Sequence, residues 1–414
     1  MSIDVAIVGG GLSGLACALT LREQGREPLI LEASDNVGGR IRTDHHDGFL
    51  LDRGFQVLQT WYPEAQRFLD YEALDLRAFQ TGALVRINGR ARRVSDVWRQ
   101  PTRLPEMLWS PVGHLSDKIR LLHLRHRCLQ GDLNDLYQRH ERDAVTHLAE
   151  LGFSQRIIDR FFKPFFSGVF FEPDLHVSSR AFEFVFRAFA LGDTALPAKG
   201  MEQIPQQMAA RLPADTLQLH TRVERIEKNL LHLTSGEVLQ ARVIVIATEG
   251  PETARLLGQN AADVPTRGTT CFYFSANRAP IDGPYLMLNG EGKGCINNVL
   301  CPSVLSEHYA PPGKTLVSVN VHGAEHDLDE LEARVRSELA AWFGDEVLDW
   351  QRLTVYSLPH ALPVQSPPVQ NPAEVALRQS EFVWTCGEYG CAPSIHWALH
   401  RGRRSAGEIA AARH

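Results

Sequence analysis

The sequence predicts an α/β protein in which a Rossmann-type nucleotide-binding domain is interrupted by an inserted α+β domain. The N-terminus shows the strand, glycine turn, helix and strand order of half a dinucleotide-binding fold. Helical periodicities then fill the middle of the chain before strand patterns return. With 414 residues and 44% hydrophobic content, the chain is long enough for two packed domains.

The first elements follow from short apolar runs and the glycines between them. Asp4 to Val8 predicts a strand, Gly9 to Gly14 a turn, Leu15 to Gln24 a helix and Pro28 to Glu32 a second strand. This order is the one that opens a Rossmann-type fold. We therefore place a nucleotide-binding unit at the N-terminus.

The middle of the chain, from Trp61 to about Ala195, has long helical periodicities and an aromatic run from Phe161 to Phe171. It predicts an inserted domain. Strand patterns then return and indicate that the nucleotide domain resumes. The predicted strands are Leu217 to Ile226, Leu230 to Leu233 and Val243 to Ala247.

The C-terminal half predicts a second sheet and a last return to the first domain. Thr269 to Ser275 and Thr315 to Val321 are rich in β-branched and aromatic residues, and the helix Leu328 to Phe343 follows them. A final strand, Phe382 to Cys386, leads through a turn with Gly and Pro into a helix from about Ser394 to Ala411.

These elements divide the chain into two discontinuous units. The nucleotide-binding domain is expected to comprise residues 1–60, 196–262 and 355–414. The inserted substrate domain is expected to comprise residues 61–195 and 263–354.

The glycines of the first turn form a G-x-G-x-x-G motif directly between a strand and a helix. Gly9 permits the tight turn, Gly11 lets the backbone approach a pyrophosphate, and Gly14 allows close packing of the helix, whose N-terminus faces the phosphate charge. Glu32 ends the second strand, where its carboxylate can accept ribose hydroxyls and would repel the 2′-phosphate of NADP. Glycines alone could form a flexible turn, but this surrounding order favours a dinucleotide site.

Gly38, Gly39 and Arg40 follow this unit closely. The two glycines let the backbone run near a bulky ligand, and the guanidinium can neutralise a pyrophosphate or hold an ordered loop. Taken alone, Arg40 would be read as a surface arginine.

Five segments together resemble the flavin-containing amine oxidase superfamily, which includes monoamine oxidases, protoporphyrinogen oxidase, renalase and the phytoene desaturases. The segments are Val8 to Leu15, Leu31 to Ala33, Gly38 to Arg40, Cys386 to Glu388 and Pro393 to Ile395. The resemblance implies that the cofactor is FAD and that the nucleotide-binding unit is the FAD-binding domain. It also implies that the last helix points its N-terminus at the flavin carbonyl edge, which would stabilise negative charge on the reduced flavin.

The motif and the resemblance together imply a set of cofactor-binding residues spread over the chain. They are Gly9, Gly11, Leu12, Ser13, Gly14, Glu32, Ala33, Gly39, Arg40, Gly54, Phe55, Val223, Ala247, Gly387, Glu388, Ser394 and Ile395. Cys386 and Cys391 fall near the expected flavin edge, but a covalent flavin link is a minority outcome in the superfamily. We therefore expect noncovalent FAD.

Two departures from the monoamine oxidases argue against amine oxidation. Those enzymes carry a lysine on the first strand after the FAD domain, whereas Thr269 to Ser275 contains none. The turn before the last helix offers Ser394 in place of a tyrosine of their aromatic pair. The aromatic run from Phe161 to Phe171 looks most like the desaturase-type branch.

The expected function is that of an FAD-dependent oxidoreductase that removes a hydride equivalent from an apolar small molecule, with oxygen or a quinone as electron acceptor. The alternatives are an amine oxidase and a non-catalytic FAD-binding protein. A reductase with two dinucleotide sites would need a second G-x-G-x-x-G, and Gly290 to Gly294 lacks its spacing and context.

Histidines are the only candidate catalytic side chains that the sequence offers near the flavin. His360 and His396 are the two candidates, although a packed or solvated histidine is the commoner case. Flavin chemistry need not employ a base, since the cofactor carries it. No H-E-x-x-H or paired cysteine spacing is present, so no metal is expected.

Composition limits the partners and the compartment. With 43 basic against 49 acidic side chains, nucleic acid is not an expected partner. The seven scattered cysteines fit a reducing cytoplasm. Met1 runs straight into a strand without a signal-peptide pattern, and no apolar run reaches membrane-spanning length. We expect a cytoplasmic protein. The alternative is a protein that also contacts the inner membrane surface peripherally.

The segment from Arg86 to Arg127 reverses the overall charge, with ten basic residues against three acidic ones. Trp98 and Trp109 interrupt it. This pattern is typical of an interfacial segment that docks on anionic lipid. A solvated helical face with its own buried stripe is the commoner cause of such a pattern.

Overall fold

The structure combines two main β-sheets with helices packed on their faces. It is a computed structural model that describes residues 3–96, 99–100, 102, 110–324 and 327–412. Its strands are β1 (Ile3–Val8), β2 (Pro28–Leu31), β3 (Thr43–His46), β4 (Phe49–Asp52), β5 (Leu58–Gln59), β6 (Leu76–Ala78), β7 (Ala83–Ile87), β8 (Arg90–Val94), β9 (Thr194–Pro197), β10 (Leu217–Gln218), β11 (Val223–Glu227), β12 (Leu230–Leu233), β13 (Val238–Ile246), β14 (Thr266–Ala276), β15 (Met287–Asn289), β16 (Ile296–Leu300), β17 (Thr315–His322), β18 (Gln351–Pro363) and β19 (Val383–Thr385).

The helices are distributed over both halves of the chain. They are α1 (Leu12–Glu23), α2 (Pro63–Phe68), α3 (Leu115–Leu129), α4 (Leu133–Gln138), α5 (Ala144–Glu150), α6 (Gln155–Ile157), α7 (Lys163–Phe170), α8 (Ser179–Leu191), α9 (Gln203–Ala209), α10 (Gly250–Leu256), α11 (Pro302–Leu305), α12 (Leu328–Phe343) and α13 (Ile395–Ala411). A π-helical turn, Ile158–Phe162, joins α6 to α7.

The first sheet carries the glycine motif. Its strand order is β10-β2-β1-β13-β12-β11, with β19 beside β13. β1 pairs in parallel with β2 and with β13, so that Val5 lies opposite Pro28 on one side and Val243 on the other. Because α1 follows β1 directly, the glycine turn lies at the carboxyl end of a central parallel strand. The predicted α/β fold with a Rossmann-type domain is confirmed.

The second sheet joins two stretches that are far apart in the chain. Its order is β18-β14-β17-β16-β15-β7-β8. β14 pairs antiparallel with β17 and β18, and β15 pairs in parallel with β7. Phe272 and Phe274 of β14 belong to one buried cluster with Val335 and Leu339 of α12. This is the α+β unit that the sequence predicts.

Helical periodicity overstated the helix content between Trp61 and Ala195. β6, β7 and β8 lie in this stretch, and β7 and β8 form a hairpin at the edge of the second sheet. β8 reads Arg-Ala-Arg-Arg-Val, and its first three residues are exposed. Charged residues on an edge strand prevent edge pairing with other chains, and they also hide the alternation by which a strand is recognised.

The predicted strand from Leu217 to Ile226 is divided into two strands. His220 adopts a positive φ of 53° and interrupts it, and its backbone N–H donates to the carbonyl oxygen of Ser34 at 2.9 Å. β10 pairs with β2, whereas β11 pairs with β12. The segment from Leu217 to Ile226 therefore bends at His220, and its two halves occupy different positions in the sheet.

β18 runs without interruption through residue 355, where the sequence places a domain boundary. It pairs with β14 on both sides of that position, with Thr354 opposite Tyr273 and Val355 opposite Phe272. The division at residues 60, 195, 262 and 354 stays a prediction.

Helices α1 and α13 lie in close contact. A Cβ added to Gly402 would lie 2.2 Å from the carbonyl oxygen of Ser13, so only a glycine allows this approach. The Ser13 hydroxyl donates to the carbonyl oxygen of Ala398 at 2.7 Å. The last helix of the chain therefore fixes the position of α1, which begins at the glycine motif.

Candidate active site

One cavity of about 1080 Å³ connects the glycine motif with the aromatic run of the inserted unit. Residues near both ends of the chain line it, including Gly11 and Glu388. Phe165 and Phe189 of the helical region line it as well. This volume slightly exceeds the range of ordinary small-molecule pockets, about 300 to 1,000 Å³, and gives room for a large ligand or for two.

The N-terminus of α1 faces this cavity with unused hydrogen-bond donors. Gly11 is the N-cap residue and provides no side-chain cap, and no acidic residue lies in the first turn. The first N–H groups of a helix have no partner within it and attract anions. A Cβ added to Gly11 would meet no atom within 4 Å, so the space in front of it is open. The geometry fits a phosphate group of a dinucleotide.

Gly14 alone among the predicted cofactor residues does not line the cavity. A Cβ at this position would lie 2.1 Å from the carbonyl oxygen of Gly9. Its role is the close packing of α1 against the turn, which is the role that the motif assigns to the third glycine.

The carboxylate of Glu32 is held rigidly at the end of β2. One oxygen accepts from the backbone N–H of Gly10 at 2.6 Å. The other accepts from the backbone N–H of Ser34 at 2.8 Å and from its hydroxyl at 2.7 Å. Each carboxylate oxygen has further acceptor capacity, which suits the hydroxyls of a ribose. Ala33, Val223 and Ala247 line the same end of the cavity.

Arg40 joins two parts of the chain that lie 348 residues apart. Its guanidinium donates to the Glu388 carboxylate and to the carbonyl oxygen of Ala361. The other oxygen of Glu388 accepts from the backbone N–H of Gly250 at 3.4 Å. Gly39 precedes Arg40 with a positive φ of 59°, which glycine adopts readily. Arg40 and Glu388, predicted separately, thus form one ion pair in the wall of the cavity.

The remaining predicted cofactor residues line the cavity from three further loops. Gly54 and Phe55 follow β4, and Gly387 stands directly before Glu388. Ser394 caps α13, since its hydroxyl accepts from the backbone N–H of Trp397 at 3.0 Å. Ile395 begins the helix and also lines the cavity.

Sequence reasoning missed Glu249, which lines the same region. Burial raises the pKa of its carboxyl group, and the nearby Arg40 and His360 oppose that rise. Glu249 comes two residues after Ala247, at the carboxyl end of β13. Ligand-binding residues favour that edge of a parallel sheet, so the position of the strand end was the signal that could have found it.

The two histidine candidates occupy different environments. His360 lines the cavity, and its Nδ1 lies 2.9 Å from the Thr266 hydroxyl. His396 does not line it: only 3% of its surface is exposed, and its ring lies against Tyr62 and Trp397. Burial lowers the pKa of His396 to about 3, so its imidazole is neutral near pH 7. His396 is therefore part of the packing between α2 and α13.

Phenylalanines line the part of the cavity that lies away from the glycine motif, and we call this part the apolar chamber. The π-helical turn and α7 pack against α8, and the rings of Phe165 and Phe189 meet edge to face at 4.8 Å between centroids. The phenylalanines lining the cavity in this region are Phe161, Phe165, Phe166, Phe170, Phe171, Phe186 and Phe189. The aromatic run that the sequence singles out therefore forms a wall of this cavity.

A few polar groups enter this apolar chamber. Asn298 lines the cavity and is 2% exposed; its amide N–H donates to Asn297 Oδ1 at 2.6 Å, and its own oxygen accepts from Asn320 at 2.9 Å. Lys118 and Arg125 line the cavity from α3. An apolar site with a few placed polar groups is typical of small-molecule binding.

Asp52 is a buried carboxyl group directly before the cavity-lining loop at residues 53–57. It accepts hydrogen bonds from the hydroxyls of Thr43 and Tyr309 and from the backbone N–H of Met201. Burial outweighs these bonds and raises its pKa to about 6. The ionised form therefore destabilises the fold.

We expect the free energy of unfolding to respond to pH through Asp52. Because the folded pKa is raised, the stabilising contribution is complete below about pH 3.8 and is lost as pH rises through about 6. The loss should amount to about 3 kcal/mol. Urea denaturation at pH 4 to 7 measures it, and in Asp52→Asn this component should disappear. Parallel pH profiles for the two proteins would contradict the assignment.

Part of the segment from Arg86 to Arg127 lies outside the described residues. This applies to residues 97–98, 101 and 103–109, and so to Trp98 and Trp109. The described part contains β8 and α3. Within the part of the chain that the structure describes, no helix has the length and apolar character needed to cross a membrane.

Comparison with known proteins agrees with this geometry. The chain is 27% identical to protoporphyrinogen oxidase 2 of Arabidopsis thaliana over 164 residues, which are 40% of this chain and 32% of that protein. It is 44% identical to a 4,4′-diapophytoene desaturase of Staphylococcus aureus over 52 residues, which are 13% of this chain and 10% of that one. The matched stretches thus span at most about a third of these relatives.

Similarity of fold and of family extends over nearly the whole chain. An oxidoreductase from Methanosarcina mazei has the same fold with a TM-score of 0.76 at 15% identity, covering 98% of this chain and 100% of that one. The model of the family of flavin containing amine oxidoreductases matches residues 12–410. The chain therefore belongs to the flavin-containing amine oxidoreductase family and is a flavin-dependent oxidoreductase.

Proposed function

We propose that the protein binds FAD noncovalently and uses it to remove a hydride equivalent from an apolar small molecule. The observation that carries this proposal is the single cavity that joins a dinucleotide-shaped site to a chamber walled by phenylalanines. A nucleotide site alone would fit many dehydrogenases. Its continuity with the apolar chamber supports the proposal, because a bound apolar molecule would lie next to the cofactor.

The residues present fit FAD along its length. Gly11 leaves open space in front of the unpaired N–H groups of α1, which suits the pyrophosphate. The fixed carboxylate of Glu32 suits the adenosine ribose. Arg40 and Glu388 would adjoin the middle of the molecule, and the N-terminus of α13 would face the flavin ring. The FAD-binding domain of residues 1–60, 196–262 and 355–414 belongs to this proposal.

Noncovalent binding is supported by the positions of the two cysteines near the last helix. Cys386 and Cys391 are both buried, and neither lines the cavity. Burial raises the pKa of the Cys386 thiol to about 12, which keeps it protonated and unreactive near pH 7. Denatured protein should therefore release its flavin.

The chain's own residues would bind and orient the substrate and exclude water from it. FAD, when bound, supplies the two-electron acceptor, so no protein base is required for the transfer. The phenylalanines of α7 and α8 bind an apolar body, and Asn298 offers an amide for one polar group. Of the two candidate histidines, His360 is the one that lines the cavity. Oxygen or a quinone would then regenerate the oxidised cofactor.

Anaerobic reduction of the purified holoprotein tests this function. We expect apolar conjugated or polycyclic compounds to bleach the flavin absorption and oxygen or a quinone to restore it. Phe165→Gln should slow the bleaching because it places an amide in the chamber wall, while FAD content stays at the wild-type level. Unchanged bleaching in Phe165→Gln would show that the substrate binds elsewhere.

Amines are expected to fail as reductants in the same assay. β14 is the first strand after the second segment of the proposed FAD-binding domain, and it carries no lysine. Ser394 stands where the monoamine oxidases have a tyrosine. The protein therefore lacks, at these positions, both the lysine beside the flavin and the aromatic pair that holds the amine. Benzylamine and putrescine should leave the flavin oxidised without oxygen present. Rapid bleaching by either amine would reverse the substrate assignment.

A further inference from the structure

Helix α3 has three distinct faces, and two of them serve the cavity and the core. Leu124 and Cys128 are at most 1% exposed and pack inside the protein. Lys118, Leu121 and Arg125, spaced three and four residues apart, line the cavity. α3 therefore forms part of the wall of the apolar chamber and lies at the molecular surface at the same time.

The third face of α3 is apolar and exposed. Among the described residues, six large hydrophobic side chains are exposed, and Leu115, Ile119 and Leu122 of α3 are three of them, at 60%, 52% and 46%. Their spacing of four and three residues places them in one row along the helix. Isolated exposed hydrophobics are common, but a row of three on one helix marks an interaction surface. We call this row the α3 apolar face.

The exposed surface of α3 carries no acidic side chain. Leu115, Ser116, Ile119, Leu122, His123 and His126 are the exposed residues of the helix, and none is acidic. The one acidic side chain of the helix, Asp117, is fully buried and accepts hydrogen bonds from Ser154 and from the backbone of His114. Arg120 and Arg127, at the margin of the face, are 36% and 40% exposed, and each pairs with a buried carboxylate, Asp117 at 3.7 Å and Glu183 at 2.7 Å. The face thus combines apolar side chains with a basic margin.

We propose that the α3 apolar face docks on an anionic lipid bilayer. Apolar residues in one row, basic side chains at its margin and no exposed carboxylate are the features of a helix that lies in the plane of a membrane interface. Leu115, Ile119 and Leu122 would enter the acyl region, while Arg120 and Arg127 would meet the headgroups. An anionic bilayer matches this combination, because it offers an apolar interior to the row of hydrophobic side chains and anionic headgroups to the arginines.

Docking in this orientation places the chamber beside the bilayer. Lys118, Leu121 and Arg125 lie on the adjoining side of the same helix, so the cavity wall and the docked face are two neighbouring sides of α3. An apolar substrate could then pass from lipid into the chamber without crossing water. This consequence rests on the proposed function, whereas the docking itself does not.

Cosedimentation of the FAD-loaded protein with vesicles tests the proposal, and it uses no substrate. We expect binding to phosphatidylcholine vesicles that contain phosphatidylglycerol, little binding to phosphatidylcholine alone, and release at about 1 M salt, where screening acts over about 3 Å. The triple variant Leu115→Gln, Ile119→Gln, Leu122→Gln should partition at least about tenfold less, since burial of one leucine side chain already corresponds to such a factor.

The matched control replaces exposed apolar residues elsewhere. Val238→Gln with Leu348→Gln changes two side chains that are 49% and 69% exposed and lie away from α3, and it should bind like the wild type. Equal binding of the wild type and the triple variant would overturn the proposal, as would equal binding to both vesicle types. A dimer in sedimentation velocity that the triple variant abolishes, without vesicle binding by the wild type, would assign the face to a second copy of the chain instead.

Discussion

Replacing Gly11 by valine is expected to abolish FAD retention while the protein still folds. The φ of Gly11 is −73°, which any residue adopts, so valine brings no backbone strain. Its side chain would enter the open space before the N-terminus of α1, where a Cβ meets nothing within 4 Å. That space is the one assigned to the pyrophosphate. We expect affinity for FAD to fall at least about 100-fold, which is about 3 kcal/mol.

The measurement is the flavin content of the purified protein, followed by titration of the apoprotein with FAD. Wild-type protein should gain thermal stability as FAD is added, because a ligand that binds only the folded state shifts the unfolding equilibrium. Gly11→Val should show no such gain and should melt like the wild-type apoprotein. Gly407→Val is the control, since a Cβ there also meets nothing within 4 Å but lies on α13 away from the cavity. Full FAD occupancy in Gly11→Val would refute the site.

Local features of the sequence predicted several secondary-structure elements well. The glycine motif stands between β1 and α1 as expected, and α12 has the predicted bounds, Leu328–Phe343. Such elements are encoded by neighbouring residues, through the periodicity of apolar positions and the glycines that interrupt it. The last helix follows the same rule, because Ser394 is its cap and stood at its predicted start.

Features that depend on contacts between distant residues could not be predicted in this way. The ion pair of Arg40 and Glu388 was predicted as two separate residues, since nothing local links them. Burial of His396 follows from the packing of α13 against α2, and the sequence shows only its proximity to the last turn. The edge strand β8 is concealed by its arginines, whose exposure depends on its place in the sheet. In each case tertiary packing decided the outcome.

Gly402→Ala is expected to destabilise the protein even though alanine is the better helix former. Alanine in a helix interior gains about 1 kcal/mol over glycine. At Gly402, however, the new Cβ would lie 2.2 Å from the carbonyl oxygen of Ser13 and 3.1 Å from the backbone nitrogen of Cys17. Both are backbone atoms of α1, so no side-chain rotation relieves the overlap, and the helices must separate. Overpacking of this kind costs about 1 to 3 kcal/mol or more.

Separation of the two helices should also weaken FAD binding, because α1 begins at the glycine motif and α13 begins at the proposed flavin edge. We expect a lower urea midpoint for Gly402→Ala in the apoprotein and a weaker gain on adding FAD. Gly407→Ala provides the comparison on the same helix: its Cβ meets nothing within 4 Å, so only the helix propensity acts and the midpoint should rise slightly. If both alanines raised the midpoint equally, the tight contact between α1 and α13 would not hold the cofactor site in place.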